Sequence, residues 1–192
     1  APDLTILAEH ISEGGFKQLS YQQEPNQIIW CARNDGQLVG LTYQREQQVV
    51  AWHRHIFGGV FGSGNAVCDS VATIPTDDSE YQTWVIIKRT INGATKRYVE
   101  YIHQYDFDET DDTSFNFLDS QLSYDGSAVT NISGLAHLEG QTVSVLADGA
   151  THPDKVVSSG AIVLERAASK VKVGLSYTSL LQTMRIDAGA QN

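Results

Sequence analysis

The sequence predicts a mainly β chain, with antiparallel hairpins forming a sheet assembly followed by a small β-barrel-like or sandwich module. Three observations predict it. Apolar residues alternate with polar ones at period two through much of the chain, the pattern of strands with one buried face. The pairs Asn92-Gly93, Asp125-Gly126 and Asp148-Gly149 punctuate that alternation with tight-turn chemistry. Strand and turn together recur roughly every 8–12 residues, the spacing of small barrels and sandwiches.

The elements follow in order. Near the start, Asp3 is a candidate cap, Leu4, Leu7 and Ile11 share a helical face, and Gly14-Gly15 is a stop, which predicts one short helix. Ile28, Trp30 and Ala32 alternate with Ile29, Cys31 and Arg33 before the turn Asn34-Asp35-Gly36, so residues 26–44 read as one hairpin. Val49–Ile56 is a further strand. Cys68–Ile74 runs into the turn Pro75-Thr76-Asp77-Asp78, and Tyr81–Thr90 pairs with Thr95–Ile102 about Asn92-Gly93. Gln104–Asp119 is polar, acidic and without period, and reads as a linker or exposed loop. Short strands resume at Phe117–Tyr124, Val129–Ile132, Thr142–Leu146, Lys155–Val157, Ala161–Leu164, Lys170–Leu175 and Thr183–Ile186, with Asp125-Gly126 and Asp148-Gly149 as turns. The expected division is a hairpin region at 1–103, an acidic linker at 104–119 and a small β module at 117–192.

Charge bounds the partners. The chain of 192 residues carries 13 Lys and Arg against 23 Asp and Glu, a formal net charge of −10. The excess is uneven, because residues 106–125 hold seven acids and no base. Gripping phosphate by counterion release needs clustered Lys and Arg, so ordinary nucleic-acid binding and docking to anionic membranes are disfavoured. The longest apolar runs fall far short of the ~20 residues that span a bilayer as a helix. A basic segment followed by an apolar one, the mark of a signal peptide, does not open the chain. Ala1 stands at the first position instead of Met, and the chain is expected to be a piece of a longer polypeptide. Cys31 and Cys68 form no CxxC pair; one disulfide between them is the alternative to the commoner outcome, two unpaired, buried thiols of a reducing compartment.

The residue patterns that carry chemistry elsewhere are weak here. His53 and His55 lie two apart in a strand and share a face, so both imidazoles can approach one ion, with His103 or an acid as a third ligand. The commoner outcome for such a pair is a sheet face carrying solvated or stacked histidines, and no zinc is expected. An EF-hand template laid from Asp106 finds Asp108 and Thr110 tolerable, but puts Asp111 where Gly belongs and Phe117 where Glu belongs. The acidic run is therefore read as solvated charge, with Asp106, Asp108, Glu109, Asp111 and Asp112 exposed and no calcium bound. Gly58-Gly59-Val60-Phe61-Gly62-Ser63-Gly64 lacks the Lys-Ser/Thr of a phosphate loop and lies between strands, so a long flexible hairpin tip is expected. Asn131-Ile132-Ser133 matches a glycosylation tripeptide that means nothing without secretion. Asp77-Asp78 sits in a turn with no cleft in view, and GxSxG, HExxH and catalytic Cys/His signatures do not occur. No catalytic, cofactor-binding or metal residue is assigned, and no enzyme activity is expected.

Three stretches carry a family resemblance: Leu38-Val39-Gly40-Leu41-Thr42-Tyr43-Gln44-Arg45-Glu46-Gln47-Gln48-Val49-Val50-Ala51-Trp52-His53-Arg54-His55; Trp84–Gly93 with Arg97-Tyr98-Val99-Glu100; and Gly134–Gly149. In this order the pattern resembles the C-terminal part of the tail tubular or nozzle proteins of short-tailed bacteriophages and related prophages, over most of residues 15–187. The first stretch is the most specific. The resemblance implies a structural virion protein, made in the bacterial host cytoplasm and built into the virion tail. It implies a homo-oligomeric ring, usually of six copies, that contacts other tail proteins and passes DNA without specific binding. It implies no cofactor, no membrane anchor and no catalytic residue. An acidic chain fits a conduit, since a basic lumen would hold the duplex. Two other classes compete. A receptor- or carbohydrate-binding β module would use exposed aromatics such as Trp30, Trp52 or Trp84, although all three lie in strand interiors. A glycan-degrading enzyme would need a cleft with paired acids.

Overall fold

The computed structural model describes residues 3–6, 8–77, 80–103, 113 and 115–182. Antiparallel strands dominate. Strands β1 (Phe16–Gln22), β2 (Ile28–Arg33), β3 (Leu38–Gln44) and β4 (Val49–His55) form a four-stranded meander. A two-stranded hairpin, β5 (Val60–Phe61) and β6 (Gly64–Asn65), leads to a second meander of β7 (Val67–Pro75), β8 (Tyr81–Ile91) and β9 (Ala94–Ile102). The third sheet, from β10 (Asp119–Ser133), β11 (Thr142–Ala147), β12 (Ala150–Val156) and β13 (Ala161–Leu175), has the order β10-β13-β11-β12. The mainly β class read from the alternation is the class observed.

The first two meanders share a core. Trp30, Ala32 and Leu38 from one meet Cys68, Val71, Val85 and Ile87 from the other. The alternation of β8 is complete, with Thr83, Val85, Ile87, Arg89 and Ile91 all buried. Both thiols are free and buried, and burial pushes each up to about 11, so neither is a reactive thiolate at neutral pH.

Strand β1 is inverted, and the sequence reading does not name it. Its inward residues Gln18, Ser20 and Gln22 are polar, while Leu19 and Tyr21 are exposed. The polar face is buried because it bonds across to the second meander. Ser20 Oγ donates to Thr73 Oγ1 at 2.8 Å, Ser70 Oγ to Gln18 Oε1 at 2.9 Å, and Thr83 Oγ1 to Gln22 Oε1 at 2.9 Å. Gln22 Oε1 also accepts from Trp30 Nε1 at 3.0 Å, so the largest core ring has its polar atom satisfied.

The predicted helix shortens to a single turn, α1 (Glu9–Ser12). Asp3 caps a local turn through Thr5 (2.8 Å) instead of a helix, and Leu7 lies outside the described residues. Ile11 seals the outer face of the first meander against Cys31 and Val39. Arg33 donates from Nη1 to the carbonyl of Ile11 at 3.0 Å, satisfying a terminal acceptor of that turn.

In the third sheet two expectations are corrected. Asp125-Gly126 is not a turn: it lies within the continuous strand β10. Ala161–Leu164 and Lys170–Leu175 are parts of one strand, β13. The register between these strands shifts at Asp125/Val129 and again at Val129/Asn131. Along β13 the buried positions change parity, from Ile162, Leu164 and Ala168 to Val171, Val173 and Leu175. Bulges bend long strands and re-aim side chains, so turn-forming residues are absorbed as bulges and both halves reach one core. Lys155–Val157 likewise falls mostly at the end of β12, which already begins at Ala150. The turns Asn92-Gly93 and Asp148-Gly149 form as expected, with Asn92 and Asp148 at φ 48° and 49°. Thr183–Ile186 and the acids from Asp106 to Asp112 lie outside the described residues.

Arg89 joins these parts. It is fully buried, pairs through both Nη atoms with the Glu100 carboxylate, and donates from Nε to the carbonyl of Gly58 at 2.8 Å. The N–H of Gly58 donates in turn to Asp119 Oδ2 at 2.6 Å. Arg89→Met is expected to lower the unfolding free energy by about 3–5 kcal/mol, since it strands a carboxylate and a carbonyl. Arg97→Met, which removes an exposed partner of Asp69, is expected to cost under about 1 kcal/mol. Denaturant titration of both variants checks the contrast, and equal losses would contradict it.

Candidate functional site

The histidine pair of β4 is brought together as its spacing predicts. His53 Nδ1 and His55 Nε2 are 2.7 Å apart and share one hydrogen bond, and Thr42 Oγ1 is 3.3 Å from His53 Nε2. Both rings lie edge-on to Trp30, with centroids 5.8 and 5.0 Å from it. Gly40 makes the seat: a Cβ there would stand 2.1 Å from His53 Cε1. Burial lowers the affinity of both rings for protons, and His55, which also faces His53, is pushed down to about 4. Two neutral imidazoles bonded to each other and packed on an indole are core furniture at neutral pH. Among the described residues no group of three His, Cys, Asp or Glu is set to hold a metal ion, and His103 stands apart beside Tyr101.

The glycine-rich stretch is an anchored hairpin and not a free tip. Leu175 Cβ and the carbonyl of Ser176 would each lie 2.8 Å from a Cβ at Gly58, so only glycine fits. Its amide is spent on the Asp119 carboxylate. Burial raises Asp119 above the usual carboxylate range, and the Gly58 amide and Arg89 oppose that shift. This is a joint with its own anion, which leaves nothing for a phosphate. Asn131 and Ser133 flank the buried Ile132 in β10. Asp77 is exposed in a turn, and Asp78 lies outside the described residues.

The three tryptophans separate. Trp30 is buried. Trp52 stacks on Phe16 and donates from Nε1 to the carbonyl of Leu4 at 2.9 Å, under the N-terminal segment. Trp84, half-buried like Trp52, lies on the outer surface of the second meander, with Tyr101 directly opposite it and ring centroids 5.3 Å apart. At the open end of this sheet lies a groove of about 260 Å³ lined by Tyr81, Gln82, Tyr101, His103, Thr76 and Glu80. A larger recess of about 430 Å³ lies between the N-terminal segment and Trp52. Sequence reasoning misses Tyr81, Gln82 and Tyr101. The Asn92-Gly93 turn held the signal, because a two-residue hairpin fixes which residue of β9 faces Trp84.

The histidine pair generates a pH prediction. An unfolded histidine takes its proton near the ordinary value of 6.5, whereas folded His55 takes it only at about 4. Between those values the unfolded chain binds more protons, so this stabilisation is complete above pH 6.5 and is lost as pH falls towards 4. Melting temperature is expected to fall across pH 6.5 to 4.5, with a shallower slope for His55→Gln. Identical slopes would show the pair to be freely protonated in the fold. No known protein-family model matches the sequence, and no curated protein sequence matches it significantly.

Proposed function

We propose that this chain is a structural subunit of the tail tube or nozzle of a short-tailed bacteriophage or related prophage. It acts as one copy in a ring, six in number, through which the genome leaves. The observation that carries the reading is the position of the resembling stretches. Leu38–His55 is the hairpin β3–β4, Trp84–Glu100 falls in β8–β9, and Gly134–Gly149 leads into β11, so each of the three main sheets is built on one of them. The resemblance therefore follows the framework of the fold and is not confined to one local motif.

Two physical features support the same reading. A conduit has to hold its bore while a stiff, charged polymer passes. The chain is built from three antiparallel sheets, cross-tied by Arg89, Gly58 and Asp119 and by the Tyr98 hydroxyl, which donates to the carbonyl of His137 at 2.9 Å. Net charge −10 opposes adhesion of a duplex, and at least five of the 13 cations are paired with acids: Lys88 and Arg97 on Asp69, Arg33 on Asp35, Arg89 on Glu100 and Lys155 on Glu165.

Native mass spectrometry and negative-stain imaging of the complete polypeptide test the reading, with closed rings expected. A monomer at all concentrations would overturn it. The 192-residue chain is also expected not to retard duplex DNA at about 0.15 M salt, because counterion release needs clustered Lys and Arg and the net charge here is −10. Tight, salt-sensitive retardation would remove the charge argument.

A further inference from the structure

We infer that the free edge of β9 pairs with β9 of a second copy, antiparallel about a two-fold axis at Tyr98, so that two three-stranded sheets become one. β9 is the last strand of its sheet and pairs with β8 alone. Ile91 opposite Ala94 closes the Asn92-Gly93 hairpin, and from there bonded and non-bonded pairs alternate along the strands. The amides and carbonyls of Thr95, Arg97, Val99 and Tyr101 therefore point away from β8. No backbone group among the described residues bonds to them. Such a row of unpaired donors and acceptors is a template for another strand. The other edges of the three main sheets are blunted or occupied. β12 carries Pro153, and β10 is interrupted by three register shifts. β1 and β7 meet each other, with Gln18 Oε1 accepting from the amide of Val71 at 3.2 Å. β4 is regular, but it holds Arg54 and no acid that a second copy could set against it. β9 has no Pro, no Gly and no register shift against β8 over its nine residues.

The partner is a second copy because the strand is complementary to itself. Ala94–Ile102 is centred on Tyr98, so an antiparallel copy placed on that residue overlaps the whole strand. In this register Thr95 faces Tyr101 of the second copy and Arg97 faces its Val99, so every outward amide and carbonyl gains a bond. On the other face of the strand Lys96 meets Glu100 of the second copy, twice by symmetry. Lys96 is exposed and pairs with no acid among the described residues, whereas Lys88 and Arg97 share Asp69. The Glu100 side chain is 17% exposed beside Arg89, which leaves its carboxylate open to a lysine on an added strand. Opposite charges directly across two strands favour the pairing. Moving the register by two residues either way shortens the overlap and sets Lys96 against Tyr98 or Ile102. Parallel pairing in register sets Lys96 against Lys96. Val99, 69% exposed at this edge, gains cover from the apolar stem of Arg97 across the seam. The contact is isologous, whereas a closed ring of more than two copies is held by head-to-tail contacts, so it neither needs nor excludes the ring.

Sedimentation equilibrium of the 192-residue chain tests the edge, with a reversible monomer–dimer exchange expected. Val99→Pro removes an amide that β8 does not use, and is expected to weaken dimerisation by more than roughly tenfold. Circular dichroism of the dilute monomer, unchanged in this variant, verifies that the fold is kept. Lys96→Glu, an exposed change, sets like charges opposite each other at both symmetric positions and is expected to weaken dimerisation roughly tenfold. Cysteine substitution reads the register. Tyr98→Cys is expected to link to itself on oxidation because it lies on the axis, whereas Thr95→Cys, which faces Tyr101, is not. The unsubstituted chain, with Cys31 and Cys68 buried, gives the background. A chain that stays monomeric at all concentrations overturns the inference. So does a dimer that Val99→Pro and Lys96→Glu leave unchanged, or one that links through Thr95→Cys and not through Tyr98→Cys. Rings of the complete polypeptide are expected to survive Val99→Pro, which keeps a failure of this edge distinct from a failure of the ring. Rings lost with that variant would make β9 a head-to-tail contact and overturn the two-fold pairing.

Discussion

The buried guanidinium of Arg89 is the constraint around which the chain is arranged. An arginine with no solvent exposure is tolerable only when every charge and most of its donors are met, and one carboxylate and one carbonyl do that here. Glu100 comes from the neighbouring strand β9, so the hairpin about Asn92-Gly93 has to form in register before the charge is neutralised. Gly58 comes from the connection that follows the first meander, and its amide is held by Asp119 at the start of the third sheet. One cation thus ties the β8–β9 hairpin to the connection at Gly58 and, through it, to the start of the third sheet. Glycine at position 58 follows from the same crowding, since the backbone there is pressed against Leu175.

The second device is the exchange of apolar for polar surface along β1. A strand that turned Leu19 and Tyr21 inward would have obeyed the usual pattern. Instead Gln18, Ser20 and Gln22 bond to Ser70, Thr73 and Thr83. Satisfied polar contacts of this kind contribute little net stability, but a register slip would leave several unpaired at once. Their effect is to specify how the two meanders dock. The histidine pair beside Trp30 belongs to the same logic. Its rings fill space over Gly40 and bond to each other, and their burial against Trp30 disfavours the protonated form.

Each of these devices ties one strand or sheet to another. Among the described residues no three His, Cys, Asp or Glu are set to hold a metal ion, and burial keeps both thiols protonated at neutral pH. On the outer face of β8 and β9, Trp84 and Tyr101 stand opposite each other with ring centroids 5.3 Å apart. Antiparallel sheets let one strand serve two surfaces, because its alternate residues point to opposite faces.

Sequence alone determined the class of the fold and much of its strand inventory, because period-two alternation and the pairs Asn92-Gly93 and Asp148-Gly149 act locally and need no distant partner. It also determined that His53 and His55 share a face, and that Trp84 lies in a strand. Tertiary structure decided the rest, each time through contacts far away in the chain. Gln18 and Ser20 point inward only because the second meander supplies partners. Asp125-Gly126 becomes a bulge instead of a turn because β13 continues alongside it. Asp3 fails to start a helix because its carboxylate bonds to the amide of Thr5, two residues on. The three tryptophans are alike in sequence context, and which of them faces water was set by which sheet faces another segment of the chain. Short-range propensity chooses strands and turns, whereas burial is a property of the assembled layers.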